Sequence, residues 1–294
     1  MVKFLRNFSA LFKYIHAFKN GAVVFALAAL QKFPINVVLK NYKINYKANT
    51  RAELFLLSNG IKNIKYDVND KTITLLDYNV KFLAMNIGDV YGVFFKEDYR
   101  DLQVKDMTVI DIGSGIGDSA VYFMKNGAKR VIAVEAYPEN CYIAETNIYL
   151  NSLSDTVTII NAALSSINEK VSIRNEKTPR PTSRTFKTNR GKQIRCTTLE
   201  VIVNTSNDNN LLLKMDCEGC EYDIILNSSC ELLRKFRAIS LEFHNGSKTI
   251  IDYLNDCGFS TSIKNGSQED YGKNNRLSSR IGILEAVRCD ENCS

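Results

Sequence analysis

Short apolar runs alternate with amphipathic stretches through the second part of the chain, and glycine, asparagine or charged residues separate them. Five runs have the length and composition of buried strands, at residues 108–112, 130–135, 156–162, 211–215 and 238–243. Four stretches are predicted as helices, at residues 119–126, 140–151, 222–226 and 248–257. This alternation predicts an α/β fold in which helices flank a mostly parallel sheet. Residues 260–264 and 281–287 predict a closing antiparallel hairpin with a long, mobile polar link over residues 265–279.

The first hundred residues follow a different pattern. The predicted elements are an amphipathic helical region broken at Gly21 and ended by Pro34, a strand over residues 37–46, a helix over residues 52–58 and a hairpin over residues 64–83. We therefore expect an α+β extension over residues 1–105, which could cap a substrate, and a second domain over residues 106–290. Four aromatic residues near this boundary predict either a pocket wall or ordinary packing: Tyr91, Phe94, Phe95 and Tyr99.

A glycine-rich turn follows the first strand of the predicted sheet. Asp111, Gly113, Gly115 and Gly117 form the pattern D-x-G-x-G-x-G, and Asp118 then supplies N-cap chemistry for a helix. The spacing differs from the dinucleotide fingerprint, and no G-K-[ST] follows for a phosphate loop. Alternate glycines let a ligand approach the backbone, and an acid before them suits a cationic ligand such as S-adenosylmethionine. We therefore predict a cofactor site at the carboxyl edge of the sheet.

The next two predicted strands end in polar residues. Glu135 stands about twenty residues after the glycine turn, where a carboxylate can accept hydrogen bonds from both ribose hydroxyls. The alternative is that Glu135 only caps the helix that follows. Asn161 ends the third strand, where it could meet the adenine ring or serve as a turn asparagine.

Carboxylates also follow the most hydrophobic strand, residues 211–215. The motif D-C-E-G-C-E places Asp216, Glu218 and Glu221 beside one crevice, and the strand over residues 238–243 brings His244 to the same edge. A hydroxyl acceptor needs a base within hydrogen-bond reach, for which Asp216, Glu218 and His244 are the candidates in that order. His244 could equally be a strand-end residue that only forms hydrogen bonds.

Composition adds few constraints. The chain has 294 residues and a formal net charge of +6, which permits an anionic substrate but lacks the dense basic surface of a nucleic-acid binder. Strand-like arms at residues 170–174 and 193–196 enclose a basic loop that either contacts substrate or is a solvated surface. Its cations are Lys177, Arg180, Arg184, Lys187, Arg190 and Lys192.

The eight cysteines and the apolar N-terminal run predict a cytoplasmic protein. A chain of this length needs no disulfide framework, so reduced thiols are expected, and C-E-G-C at Cys217 to Cys220 has no second pair at zinc-finger spacing. No metal site is predicted, and these two thiols are expected to be chemically idle. Residues 21–30 are too few to span a bilayer and lack the flanks of a signal peptide, which leaves weak peripheral membrane contact through the N-terminal helix.

The chain resembles the FkbM-like family of S-adenosylmethionine-dependent methyltransferases in VIDIGSGIGDS, RVIAVEAYPENCYIAETNIYLN, LKMDCEGCEYDIIL and AISLEFH. The resemblance implies a class I methyltransferase (Rossmann-like) sheet and mostly O-methylation of glycans, lipids or small natural products. It places Asp111 and the glycines at the methionine end of the cofactor, Glu135 at its ribose, and Asp216 and Glu218 facing the methyl group and the acceptor.

The full predicted cofactor site comprises Asp111, Gly113, Ser114, Gly115, Gly117, Asp118, Glu135, Ala136, Asn161, Ala162 and Asp216. Two alternatives stay open at this point. One is a nucleic-acid methyltransferase that uses the basic insertion over residues 177–195, although a nucleic-acid partner is not expected. The other is a non-catalytic binding protein on the same fold.

Overall fold

The computed structural model describes residues 2–40, 45–166, 170–173, 192–265 and 281–289. The chain divides into two compact units, Met1–Lys96 and Glu97–Ser294, so the boundary lies ahead of the predicted one at residue 105. Apart from the backbones of Asn265 and Lys192, the predicted polar link over residues 265–279 and the cations of the basic loop lie outside the described residues.

The first unit contains four helices and five strands in its described part. They are α1 (Val2–Ala17), α2 (Gly21–Ala29), β1 (Ile35–Val38), β2 (Asn45–Ala48), α3 (Arg51–Ser58), β3 (Ile64–Asp67), β4 (Thr72–Leu75), β5 (Val80–Leu83) and α4 (Ile87–Phe95). The predicted single strand over residues 37–46 is wrong, because β1 and β2 pair with each other as an antiparallel hairpin. The predicted hairpin over residues 64–83 is a three-stranded antiparallel sheet, β3-β4-β5.

The aromatic residues near the boundary pack within their own units. Helix α4 supplies Tyr91, Phe94 and Phe95, whose ring contacts within the first unit are with Phe55, Tyr78 and Phe82. Tyr99 belongs to the second unit and packs against Tyr122 and Phe123 of its first helix. These ring contacts are the ones that ordinary packing of the aromatic residues predicts.

Large apolar side chains of the first unit are also exposed at Phe12, Ile15, Val23 and Leu30. Among the helices in the described ranges, none is long and apolar enough to cross a bilayer. Contact of this helical region with a membrane surface stays a prediction.

The second unit is built on a seven-stranded sheet. Its elements are β6 (Thr108–Ile112), α5 (Asp118–Lys125), β7 (Arg130–Glu135), α6 (Pro138–Leu150), β8 (Val157–Asn161), β9 (Ala163–Leu164), β10 (Lys170–Ile173), β11 (Lys192–Thr197), α7 (Leu199–Asn204), β12 (Leu211–Met215), α8 (Glu221–Asn227), α9 (Cys230–Leu233), β13 (Phe236–Phe243), α10 (Lys248–Asp256), β14 (Phe259–Asn265) and β15 (Gly282–Arg288). The strand order is β14-β15-β13-β12-β6-β7-β8. Strands β13, β12, β6, β7 and β8 are parallel, and β14 and β15 are antiparallel. This confirms the predicted Rossmann-like sheet with its closing hairpin.

The insertion between β8 and α7 forms a separate small sheet. Strand β11 pairs antiparallel with β10 and parallel with β9, so the two predicted arms do pair. Buried Ile194 and Cys196 of β11 pack with Tyr137 and Ala163 in a small cluster of their own.

The prediction that the thiols are reduced is wrong for four of them. Disulfides join Cys217 to Cys220 and Cys230 to Cys257. The second pair ties the start of α9 to the end of α10, two positions that only the tertiary fold brings together. Free thiols in the described part of the chain are Cys141 and Cys196, both buried, and Cys289, which is exposed.

Candidate active site

A cleft lies at the edge of the sheet where β6, β7 and β12 end. The space between its walls is about 490 Å³, a figure that includes open solvent. Its walls include predicted cofactor residues from three strand ends together with two predicted catalytic carboxylates, namely Gly113, Glu135, Ala136, Ala162, Asp216 and Glu218. The cleft therefore brings the two predicted sets of residues together.

The glycines of the turn after β6 serve different purposes. Gly113 has a φ of +75°, and a Cβ there would lie 1.8 Å from the Asp216 carbonyl oxygen, so the approach of β12 excludes any side chain. Gly117 is the N-cap of α5, although the sequence predicts Asp118 at that position. Asp118 is instead the first residue of the helix and is buried. A Cβ at Gly115 would meet open space, so its φ of +53° rather than crowding favours glycine there.

Asp111 is fully buried behind the turn and forms an ion pair with Lys214, at 2.9 Å from Oδ1 to Nζ. The two residues lie side by side in the β6–β12 register. Ser119 Oγ donates to the other Asp111 oxygen at 2.6 Å, and Lys214 Nζ also donates to the Gly113 carbonyl at 3.0 Å. Burial disfavours the charged amine, but Asp111, Tyr99 and Asp216 together raise the pKa of Lys214 above its usual range. The structure thus gives Asp111 a supporting role under the turn, and direct contact with a cofactor stays a prediction.

Glu135 ends β7 and is buried, with donors on both carboxylate oxygens. Oε1 accepts from the Tyr137 backbone at 2.8 Å and from Asn140 Nδ2 at 3.3 Å, and Oε2 accepts from the Gly115 backbone at 3.0 Å. Burial raises the pKa of Glu135 to about 7 despite these hydrogen bonds. Glu135 therefore couples the glycine turn to the start of α6, in addition to any contact with ribose.

Asn161, at the end of β8, points its amide back into the protein. Its Nδ2 lies 3.0 Å from the carbonyl oxygen of Glu135 and 3.1 Å from that of Ala136. These contacts are those of a structural asparagine, while the adenine contact stays untested. Ser114 is buried beside Gly113, and its Oγ has no hydrogen-bond partner within the described residues.

The three predicted catalytic residues form one cluster. One ligand atom from each of Asp216, Glu218 and His244 lies within 4.8 Å of the other two. The buried His244 has Nε2 at 3.3 Å from Glu218 Oε2 and Nδ1 at 3.2 Å from Oε1 of the fully buried Glu221. Burial opposes protonation of this imidazole, but the two carboxylates outweigh it and raise the pKa of His244 to about 10. His244 is thus protonated at neutral pH in this arrangement, which makes it a poor general base.

Glu242, the last residue but one of β13, adds a fourth carboxylate to this edge. Burial, together with the charge and hydrogen bond of Asp216, raises the pKa of Glu242. A protonated Glu242 would donate a hydrogen bond to Asp216. The choice of Asp216 as the first candidate base stays a prediction.

The loop between β12 and α8 contains a four-residue ring closed by the Cys217–Cys220 disulfide, whose Cα atoms are 5.5 Å apart. Glu218 in this ring has a φ of +57°, which is uncommon for a residue other than glycine, and Gly219 has a φ of +120°. Both cysteines line the cleft. The two cysteines are therefore not the free thiols that were expected, and their cross-link spans the turn that carries Glu218.

Replacing Cys217 and Cys220 by serine should change ligand binding more than folding. The ring is short, so its loss should cost only about 2 kcal/mol, while Glu218 loses a constraint on its backbone. As a matched control, replacing Cys230 and Cys257 opens a longer loop and should lower the melting temperature more while leaving the cleft intact. Melting curves and calorimetry with S-adenosylhomocysteine, both without reductant, compare the two variants. Equal effects of both variants on ligand binding would contradict this role.

Several contacts that build the site were not predicted from the sequence. Lys214 pairs with Asp111, Glu221 supports His244, Asn140 contacts Glu135 and Ser119 contacts Asp111. Of these residues, Lys214 could most readily have been found from the sequence, because it is the one charged residue within the apolar run LLLKM.

A family model described as the methyltransferase FkbM domain matches residues 111–261, just over half of the chain. Among similar solved structures is an FkbM methyltransferase from Methylobacillus flagellatus KT, with 14% identity, a TM-score of 0.46 and coverage of 67% of this chain. The match spans 48% of that protein, which is less than half of its length. Another is a magnesium protoporphyrin IX methyltransferase from Synechocystis PCC 6803 solved with bound S-adenosylmethionine, with 14% identity and a TM-score of 0.35 over 70% of this chain and 81% of that one.

The fold and the strand-end motifs define a class I, Rossmann-like methyltransferase domain. Within that class the family match is decisive because it covers both the glycine turn and the D-C-E-G-C-E loop. This chain belongs to the FkbM methyltransferase family.

Proposed function

We propose that this protein transfers the methyl group of S-adenosylmethionine to a hydroxyl group of a glycan, a lipid or a small molecule. One observation supports this most directly. Gly113 and Glu135, where the cofactor is expected, line the same cleft as Asp216 and Glu218, where the acceptor is expected. A methyl donor and a carboxylate base would thus share one small space.

The residues around the cleft fit such a cofactor. Ser114 Oγ and Asn140 Oδ1 are buried polar atoms with no hydrogen-bond partner in the described part of the chain. Buried polar atoms are rarely left unpaired, and a ligand rich in polar groups can satisfy them. The open space at Gly115 lets a ligand approach the backbone of the turn. Gly113, Glu135, Ala136 and Ala162 would hold the cofactor here.

When bound, S-adenosylmethionine supplies a methyl group on an already activated sulfonium. Transfer to an acceptor hydroxyl would exchange the S–CH₃ bond for an O–CH₃ bond, with the S–CH₃ electron pair left on sulfur and the hydroxyl proton passed to a base of the protein. Asp216 is half-buried and faces the cleft, so its carboxylate can accept that proton. The protein's other task is alignment, which can supply a large part of the rate enhancement.

Methyl transfer from labelled S-adenosylmethionine into fractions of host extract tests this proposal on the full chain. Label is expected in the lipid, glycan or small-molecule fraction, in a linkage that resists mild alkali as an ether does and an ester does not. Label confined to nucleic acid would instead favour the nucleic-acid alternative. Calorimetry with S-adenosylhomocysteine is the parallel measurement, and failure of both ligand binding and transfer would refute the proposal.

Affinity for S-adenosylhomocysteine should fall as the pH drops from 8 to 6 if Glu135 binds ribose. Its pKa of about 7 means that acidification protonates the carboxylate, and ribose hydroxyls are better bound by the charged form. The loss should approach about tenfold across this range. Replacement by glutamine should weaken binding about tenfold or more at pH 8 and flatten the pH dependence.

Glutamine is preferred to alanine because three protein donors surround Glu135. The ligand's own amine titrates alike in both proteins, so the difference between the two pH profiles isolates Glu135. Parallel profiles of equal affinity would remove Glu135 from the ligand site.

A further inference from the structure

We propose that Asp216, Glu218 and His244 bind a divalent transition-metal ion, with Mn²⁺ or Zn²⁺ as the fitting class. The three side chains come from the ends of two adjacent parallel strands, β12 and β13, and converge beside the cleft. The sequence offers no conventional metal motif here, because the histidine follows a different strand from the two acids.

The geometry of the cluster is close to that of a metal site. Its three candidate ligand atoms lie within 4.8 Å of one another. Bonds of about 2.1 Å place cis and trans ligand atoms about 3.0 and 4.2 Å apart, so side-chain shifts of under about 1 Å would suffice. Two carboxylates and one imidazole are a donor set suited to Mn²⁺ or Zn²⁺ rather than to the all-oxygen sites of Ca²⁺.

Buried atoms behind the cluster point to the same ligand. His244 is more than nine-tenths buried and directs Nε2 toward Glu218, while Nδ1 lies 3.2 Å from Glu221 Oε1. A carboxylate behind a histidine is the usual outer partner of a metal-binding imidazole, where it fixes the tautomer and the ring orientation. Glu221 Oε1 faces His244 Nδ1 in this way, and Glu221 Oε2 has no hydrogen-bond partner within the described residues.

The charges around the cluster are also unbalanced. Asp216, Glu218 and Glu221 face a single imidazole, and the nearby amine of Lys214 is already paired with Asp111. Carboxylates gathered in a partly buried place are stabilised by coordinating a metal. A divalent ion would offset the excess negative charge that a single histidine cannot balance.

The consequence for catalysis rests on the proposed function. A metal beside the cleft would orient an acceptor hydroxyl and polarise its O–H bond, which reduces the demand on Asp216 as a base. Metal binding itself needs neither cofactor nor acceptor, so it can be measured separately.

Titration of the metal-stripped full chain with Mn²⁺, followed by electron paramagnetic resonance, tests the site, with Zn²⁺ as competitor. The native protein should bind one Mn²⁺ per chain. Glu221→Gln should weaken binding about 10- to 100-fold as an outer partner, and Glu218→Gln and His244→Gln should weaken it at least as much. The matched control Glu231→Gln removes an exposed carboxylate of α9 and should bind as the native protein does.

Glu218 keeps 17% of its side chain exposed, so Glu218→Gln tests the site even if the variants at buried positions fail to fold. Absence of saturable binding to the native protein, or equal affinity in Glu218→Gln and Glu231→Gln, would overturn the site. S-adenosylhomocysteine binding is measured on the same samples. Metal binding without ligand binding would refute the proposed function alone, and ligand binding without metal binding would refute only this inference.

Discussion

Replacing Asp216 by asparagine is expected to lower the rate of methyl transfer about 10²- to 10⁴-fold, with a far smaller change in cofactor affinity. Asparagine keeps the size of the side chain but cannot accept the acceptor's proton. Asp216 directly follows β12 and lines the cleft, where Glu242 shares a hydrogen bond with it. Turnover with labelled cofactor, calorimetry with S-adenosylhomocysteine and a melting curve on the same sample separate catalysis from binding and folding.

Asp256→Asn is the matched control, because it makes the same change at an exposed position at the end of α10. It should leave turnover and affinity unchanged. A second experiment repeats the Asp216→Asn assay at saturating Mn²⁺. Recovery of the methyl-transfer rate would show that the variant lost its metal site, and an unchanged low rate would show that it lost its base. An Asp216→Asn protein that is less stable but turns over normally per folded molecule would exclude both roles.

The sequence predicts the central strands well because their signals are local. Strands β6, β7 and β12 have the bounds that their apolar runs predict, at residues 108–112, 130–135 and 211–215. These strands are buried in the middle of the sheet, where burial on both faces demands continuous apolar residues. The positions of Asp111, Glu135 and Asp216 follow directly, since each lies in or directly after one of these strands.

The N-terminal unit was harder to predict, because the alternation of apolar and polar residues does not show where the chain reverses its direction. Residues 37–46 alternate as one strand would, yet β1 pairs with β2 across the same stretch. The disulfides were missed for a related reason. Cys230 and Cys257 are 27 residues apart and meet only because α9 and α10 lie close together in the folded unit.

Within the site, residue types were predicted but not all of their partners. A carboxylate at the end of β7 was predicted as a ribose ligand, and the structure adds that Glu135 accepts three hydrogen bonds from the protein. An acid before the glycines was predicted to face a cation, and the cation that the structure supplies is Lys214. Such pairings depend on strand order, which places β12 beside β6 although almost a hundred residues separate them.

Lys214→Met is expected to destabilise the second unit by about 3 to 5 kcal/mol, because it leaves the Asp111 carboxylate buried without its partner. Asp111 is fully buried and Lys214 is 3% exposed, so water cannot replace the lost contact. The Gly113 carbonyl also loses its donor. A fall in melting temperature of about 10 °C or more should follow for a unit of this size.

The double variant Asp111→Asn, Lys214→Met is the control that separates the ion pair from packing. Removing both charges should recover much of the stability lost in Lys214→Met, because the main cost of the single change is an unpaired buried charge rather than a lost attraction. S-adenosylhomocysteine affinity should fall in the single variant as well, since Lys214 supports the turn that carries Gly113. A single variant as stable as the native protein, or a double variant less stable than the sum of the two single changes, would show that this pair does not support the glycine turn.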